Sequence, residues 1–209
     1  DFLFGVDNLI SLSKIAEFDF LAANLYSSST QNLIFEPYNI FKVKGVNVGV
    51  IGMVNSNLEN IVLEQNMKNI IIENPISTLG KWIPIMKKND VDIIIMLTSL
   101  GVPWDREDVY DNFIKNIDND DMIDNALELG YYSSEVDVVV SGGISKGYPV
   151  PWYDPNSHIY IFQNYGNGTS FGHFKINFDE SSKLFIGFDY EVENSISQTL
   201  FLNDFDYDE

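Results

Sequence analysis

Residues 91–101, VDIIIMLTSLG, and residues 136–145, VDVVVSGGIS, decide the fold. Each is a run of β-branched and aliphatic residues without polar alternation, which is typical of a strand buried on both faces of a sheet. Each run then ends in small polar residues and glycine. We therefore predict two strands of a central sheet, at residues 91–97 and 136–140. A ligand site is expected at their carboxyl ends, where layered α/β sheets bind ligands.

The segments around these strands predict an α/β fold that ends in antiparallel strands. Helical spacing of apolar residues predicts helices at residues 5–17 and 75–89, and two helical pieces within residues 106–129, split at 118–120. Asp105 is placed to cap the first of these two pieces. Residues 56–67 are ambiguous and are assigned as helical. Further strands are predicted at residues 18–25, 33–44, 47–54 and 69–73, and an antiparallel set at 158–164, 169–179 and 183–193.

Composition excludes several classes of function. The 209 residues contain 12 Lys and Arg against 31 Asp and Glu, a formal net charge of −19, which disfavours nucleic-acid binding through a basic face. No apolar run approaches the roughly 20 residues that span a bilayer, so no transmembrane segment is predicted. The chain has no Cys, so disulfides and a Cys nucleophile are excluded. Residues 1–193 are assigned to one domain and residues 194–209 to an acidic tail or linker.

Five segments follow one another in a recognisable order. They are FDFLAANL at 18–25, PY at 37–38 with KGVNVGVIG at 44–52, the helix and strand of 75–97, EVDVVVSG at 135–142, and FQNYG at 162–166 with FGH at 171–173. Together they resemble the 5′-nucleotidase branch of the calcineurin-like metallophosphoesterases. The resemblance implies a layered β-sandwich flanked by helices. It also implies that this chain is the second half of such a domain and is incomplete without an N-terminal half.

The resemblance further implies a two-metal site, and here the chain departs from the family. The family's imidazole ligands fall on Ser99, Gly143 and Ser145. A hydroxyl is a poor substitute for imidazole at a transition metal, and glycine has no side chain. Asp154 and His158 are weak substitutes. We therefore expect no metal ligand, no catalytic residue and no cofactor here. A divalent metal pair would be needed if the site were active.

The loop at residues 142–155 carries the remaining candidate site. Lys146 lies beside glycines, a pattern in which backbone N–H groups and one charge can bind phosphate. An ordinary loop with an exposed Lys accounts for the same pattern. Asn164 and Tyr165, in the segment that resembles the family's closing hairpin, are the other candidate substrate-binding residues.

Two functional interpretations follow from these residues. The first is a catalytically degenerate domain used for binding or assembly. The second is an active metal-dependent 5′-nucleotidase or phosphoesterase hydrolase whose altered metal site is completed by the missing N-terminal half. In either case we expect another chain or a missing N-terminal segment to complete the sheet against residues 91–97 and 136–140, with a C-terminal domain as a further possible partner. The resemblance implies a periplasmic or extracellular compartment.

Overall fold

The computed structural model of the chain describes residues 2–117 and 123–199. Its helices are α1 (Val6–Ser13), α2 (Pro75–Lys88), α3 (Arg106–Asn116) and α4 (Ala126–Tyr131). Its strands are β1 (Leu25–Ser27), β2 (Tyr38–Val43), β3 (Val46–Met53), β4 (Ile70–Ile72), β5 (Ile93–Thr98), β6 (Val138–Ser141), β7 (Trp152–Tyr153), β8 (Tyr160–Gln163), β9 (Ser170–Gly172), β10 (Phe174–Asp179), β11 (Leu184–Tyr190) and β12 (Ser197–Thr199).

A six-stranded sheet organises these elements, in the order β2-β3-β5-β6-β8-β7. The inner strands β3, β5, β6 and β8 run parallel, and the edge strands β2 and β7 run antiparallel to their neighbours. The two predicted buried strands are therefore adjacent and central. The prediction of an α/β layered sheet with antiparallel strands at its end is confirmed.

Helices cover one face of this sheet. Met96 of β5 and Val139 of β6 are fully buried in a cluster with residues of α2 and α4. Residues that alternate with these point to the other face, where the β10–β11 hairpin covers Val138 and Phe162. The rings of Phe162 and Phe174 stack there with centroids 3.9 Å apart. Burial on both faces explains why β5 and β6 are continuously apolar.

The hairpin covers only part of that second face. Near its open part, Leu97 is 41% exposed, and Phe41 of β2 is also exposed. Two cavities of about 1400 and 750 Å³ lie over this area, and Leu21 and Leu97 line both. Within residues 91–97 and 136–140 only Leu97 is exposed, and the others are buried or half-buried. The open area is therefore narrower than the sequence predicted.

Several predicted elements differ from the structure. Residues 18–24 form no strand, because they cross the end of β3, where the Ala23 N–H donates to the Gly52 carbonyl. A Cβ at Gly52 would lie less than 3.0 Å from the Leu21 carbonyl, so glycine permits this crossing. Residues 56–67 contain two short 3-10 turns instead of a helix. Asp105 occupies the N-cap position of α3, but its side chain makes no capping hydrogen bond.

The end of the fold also lies later than predicted. β12 pairs with β9, and Ile196 is buried against Val138 and Phe162, so residues 196–199 belong to the folded unit and not to a tail. Residues 200–209 and the predicted helix break at 118–120 lie outside the described residues. β8 was predicted in an antiparallel set, but it is parallel to β6 and antiparallel only to β7.

Asn24 joins three segments beside the open face. Its side chain is fully buried, accepts a hydrogen bond from the Val54 N–H at 2.8 Å, and donates to the carbonyls of Val54 and Glu73. This single amide therefore ties residues 18–25 to the end of β3 and to the start of α2. Buried amides paired in this way are costly to lose, since their backbone partners have no water to replace them.

We expect Asn24→Leu, which keeps the side-chain volume, to lower the free energy of unfolding by about 2–4 kcal/mol, because it leaves buried backbone groups unpaired. Urea unfolding of the purified protein measures this change. The control is Asn60→Leu at an exposed position, which should change the free energy by no more than about 0.5 kcal/mol. Equal effects of both variants would contradict the role assigned to Asn24.

Candidate functional site

The candidate site lies at the carboxyl ends of the parallel strands. Their last residues are in register, with Met53 beside Thr98, Thr98 beside Ser141, and Ser141 beside Gln163. The residues that follow these strands therefore meet at one rim. We call this set of strand-end loops the strand-end rim; it comprises residues 54–55, 99–104, 142–148 and 164–166.

The Gln163 side chain links two loops of the strand-end rim by hydrogen bonds. This buried side chain accepts from the Val102 N–H at 2.6 Å and donates to the carbonyls of Lys146, at 2.7 Å, and Val102, at 3.2 Å. The Ser141 hydroxyl accepts from the Gly101 N–H at 3.1 Å. Gln163 was not predicted as a site residue, although a polar residue that ends the apolar run YIF was an available signal.

Ser99 and Gly143, two positions to which the resemblance assigns metal ligands, are in backbone contact. Gly143 has a φ of 96°, and a Cβ built there would lie less than 3.0 Å from the Ser99 carbonyl oxygen. The loops after β5 and β6 are therefore packed main chain against main chain. Any side chain at position 143, imidazole included, would force them apart. Ser99, Gly143 and Ser145 are themselves exposed on the strand-end rim.

The residues present do not fit a two-metal centre. Ser99 and Ser145 supply hydroxyl groups only, and hydroxyls bind transition metals poorly compared with imidazole or carboxylate. Among residues 2–117 and 123–199, no three His, Cys, Asp or Glu side chains lie close enough together to hold a metal ion. The chain's own described side chains thus do not supply the donors that such a centre needs.

Asp154 and His158 lie away from the strand-end rim. Both belong to the turn between β7 and β8. This turn lies at the amino ends of the parallel strands, opposite the strand-end rim. Asp154 is buried, and its Oδ1 accepts from the N–H groups of Asn156 and Ser157. His158 is exposed, with Nδ1 2.8 Å from the Tyr153 hydroxyl. The topology therefore does not bring these two side chains to Ser99 and Gly143.

Lys146 reaches the strand-end rim within a cluster of aromatic rings. Its Nζ lies 5.0 Å from the centroid of the Trp104 ring and 5.3 Å from that of Tyr148. The Arg106 guanidinium lies 4.4 Å from the Tyr148 centroid on the same cluster. Cation–π contacts of this kind hold the charges beside the rings without neutralising them.

Two pKa shifts describe the electrostatics of this cluster. Burial raises the pKa of the Tyr148 hydroxyl, which stays protonated and donates to the Pro103 carbonyl. The hydrogen bond from Arg106 lowers the pKa of the exposed Glu107, whose carboxylate lies 3.0 Å from the Arg106 Nε. Arg106 is therefore already paired with a carboxylate.

Asn164 and Tyr165 have different roles in the structure. The Asn164 Oδ1 accepts from the hydroxyls of Ser170, at 3.0 Å, and Ser197, at 2.8 Å, so it ties β9 and β12 to the end of β8. Tyr165 is exposed on the strand-end rim. Of the three predicted substrate-binding residues, Lys146 and Tyr165 face the rim, while the Asn164 oxygen is occupied within the fold.

Comparison with known proteins identifies this architecture. No family model matches the chain. The 5′-nucleotidase of Vibrio cholerae is 32% identical over 94 residues, which is 44% of this chain and 17% of that protein. The chain matches part of a 5′-nucleotidase-like domain. The resemblance to this family, predicted from the five segments, is thereby confirmed.

Solved structures agree with this chain on the fold. The calcineurin-like phosphoesterase YfkN from Bacillus subtilis superposes with a TM-score of 0.68 at 19% identity, covering 94% of this chain and 63% of that one. The 5′-nucleotidase precursor of Thermus thermophilus gives 0.67 at 20% identity, covering 90% and 36%. The metallophosphoesterase fold is therefore confirmed, in a chain much shorter than these relatives. Within the described residues, no helix has the length and apolarity to cross a membrane.

Gly143 provides a test of the backbone contact within the strand-end rim. We expect Gly143→Ala to lower the free energy of unfolding by about 2–4 kcal/mol, because the added Cβ meets the Ser99 backbone and the φ is left-handed. Gly142→Ala is the matched control, because a Cβ there meets no atom within 4 Å. Its effect should stay within about 0.5 kcal/mol. Urea unfolding of both variants checks this expectation, and equal losses would contradict it.

Proposed function

We propose that this chain is the second half of a metallophosphoesterase-like domain whose metal site is degenerate, and that the domain acts in binding or assembly. The close approach of Gly143 to Ser99 carries this proposal. The contact supports loops packed backbone against backbone, which leaves no room for an imidazole at position 143. Without paired metals, phosphoester hydrolysis lacks both the activated water and the charge stabilisation of the leaving group.

The competing candidate is an active metal-dependent 5′-nucleotidase or phosphoesterase. The match to the Vibrio cholerae 5′-nucleotidase favours it, because the matched relative bears that name. In this candidate, ligands from a preceding segment would hold the metals, and Ser99 and Ser145 would contribute at most hydroxyls. The same resemblance supports a periplasmic or extracellular compartment.

The open sheet face supports a covering partner, which we assign to a preceding N-terminal segment of the same protein. The match covers 17% of the Vibrio cholerae relative and 36% of the Thermus thermophilus structure, so these relatives contain segments that this sequence does not include. The exposed apolar side chains of Phe18, Phe41 and Leu97 lie beside cavities large enough to accept packed side chains. Such a contiguous apolar surface is characteristic of a face covered by other protein.

The degenerate interpretation predicts no hydrolysis. We expect the full-length protein to release no phosphate from AMP, and no phenolate from a bis-aryl phosphodiester, above a protein-free background with added Mn²⁺ or Zn²⁺. A 5′-nucleotidase such as that of Vibrio cholerae, assayed in parallel, shows that the assay detects turnover. Hydrolysis that a chelator abolishes would overturn the degenerate interpretation and support the competing hydrolase.

If a segment covers Leu97, two similar substitutions should change the free energy of unfolding by different amounts. In the full-length protein, Leu97→Glu should lower the free energy of unfolding by at least about 1.5–3 kcal/mol, the value of burying one aliphatic side chain. The matched control is Ile186→Glu on the β10–β11 hairpin, where Ile186 is 66% exposed; we expect a change within about 0.5 kcal/mol. Urea unfolding measures both. Two equally mild variants would show that nothing covers Leu97.

A further inference from the structure

An exposed indole ring lies on the strand-end rim beside a cation. Trp104, in the segment between β5 and α3, is 65% exposed, although tryptophan is usually well buried. The Lys146 ammonium lies 5.0 Å from its ring centroid. Tyr165, which follows β8, adds a second exposed ring to the rim. Residues that follow three neighbouring strands of the sheet thus each place one side chain on the strand-end rim.

The loops that carry these side chains are held in position. Gln163 binds the backbone of both Val102 and Lys146, and the Tyr148 hydroxyl donates to the carbonyl of Pro103, which precedes Trp104. The Tyr148 N–H also donates to the Gln163 carbonyl at 3.0 Å. A ligand that binds here would therefore lose little conformational entropy by ordering the loops, and preorganisation of this kind favours affinity.

Lys146 is the cation that remains available. Arg106 is committed to the Glu107 carboxylate at 3.0 Å and to the Val150 carbonyl at 3.1 Å. Within the part of the chain that the structure describes, Lys146 has no carboxylate within 4.0 Å of its ammonium. It is held by rings alone, so it can still pair with an anion.

We propose that Trp104 and Lys146 form a binding site for a flat ring that carries one anionic group. The ring stacks on the exposed indole face, as bases stack on exposed aromatic side chains, and the anion pairs with the Lys146 ammonium. The net charge of −19 disfavours a polyanion, which restricts the ligand to a small molecule with little charge. The inference rests on the proposed binding role of this domain.

Calorimetry and tryptophan fluorescence on the full-length protein, with a chelator present, test the site. The probes are AMP and 1-naphthyl phosphate, which combine a ring and an anion, with adenosine and inorganic phosphate as the separate parts. We expect at least one combined probe to bind more tightly than either part. Trp104→Leu and Lys146→Met should each weaken its binding by about tenfold or more, because stacking on one ring is worth about 1–3 kcal/mol.

Lys81→Met is the matched control, because Lys81 forms the same kind of contact, 4.9 Å from the ring centroid of Trp82 on α2. Its affinity for the probes should equal that of the unmodified protein. The proposal is overturned if no combined probe binds, or if Trp104→Leu and Lys146→Met bind as well as Lys81→Met. Binding is measured without free metal, so chelator-sensitive hydrolysis would overturn the proposed function separately and leave this result standing.

Discussion

The alignment of four parallel strand ends is the constraint on which the rest of this structure depends. Thr98, Ser141 and Gln163 lie side by side at the ends of β5, β6 and β8. Because these ends are level, the following loops are brought together and can bond to one another directly. The Gln163 side chain forms hydrogen bonds with the backbone of both the loop after β5 and the loop after β6. Gly143, which has no side chain, lets the backbones of these two loops come into contact. A rim built in this way is held together at its base and presents side chains such as Trp104 and Lys146 above it.

Different elements cover the two faces of the sheet. Helices cover the centre of one face, where Met96 and Val139 are fully buried. The other face has an aromatic hairpin over Phe162 and an open area over Leu97. The open area lies beside the strand-end rim, so a covering segment would also border the candidate site.

The sequence predicted the central elements well because their signals are local. The helix predicted at 75–89 from the helical spacing of apolar residues is found as α2, and the structure shows that the Asn74 side chain caps it. The buried strands are found as β5 and β6. Predictions failed where long-range contacts decide the conformation: residues 18–24 are apolar enough for a strand, but the crossing at Gly52 holds them outside the sheet. The role of Ile196 was likewise invisible, because its burial depends on β9 and Phe162.

The sequence by itself determined the fold class and the family resemblance, since both rest on residue identity and order along the chain. It also led us to propose that Ser99, Gly143 and Ser145 stand where the family has imidazole ligands. Only the tertiary structure decided how these positions lie relative to one another. It brought Gly143 against Ser99, and it placed Asp154 and His158 at the amino ends of the parallel strands. It also set Lys146 beside Trp104, 42 positions away in sequence. Spacing along a chain cannot report these relations, because the register of parallel strands and the paths of their loops determine them.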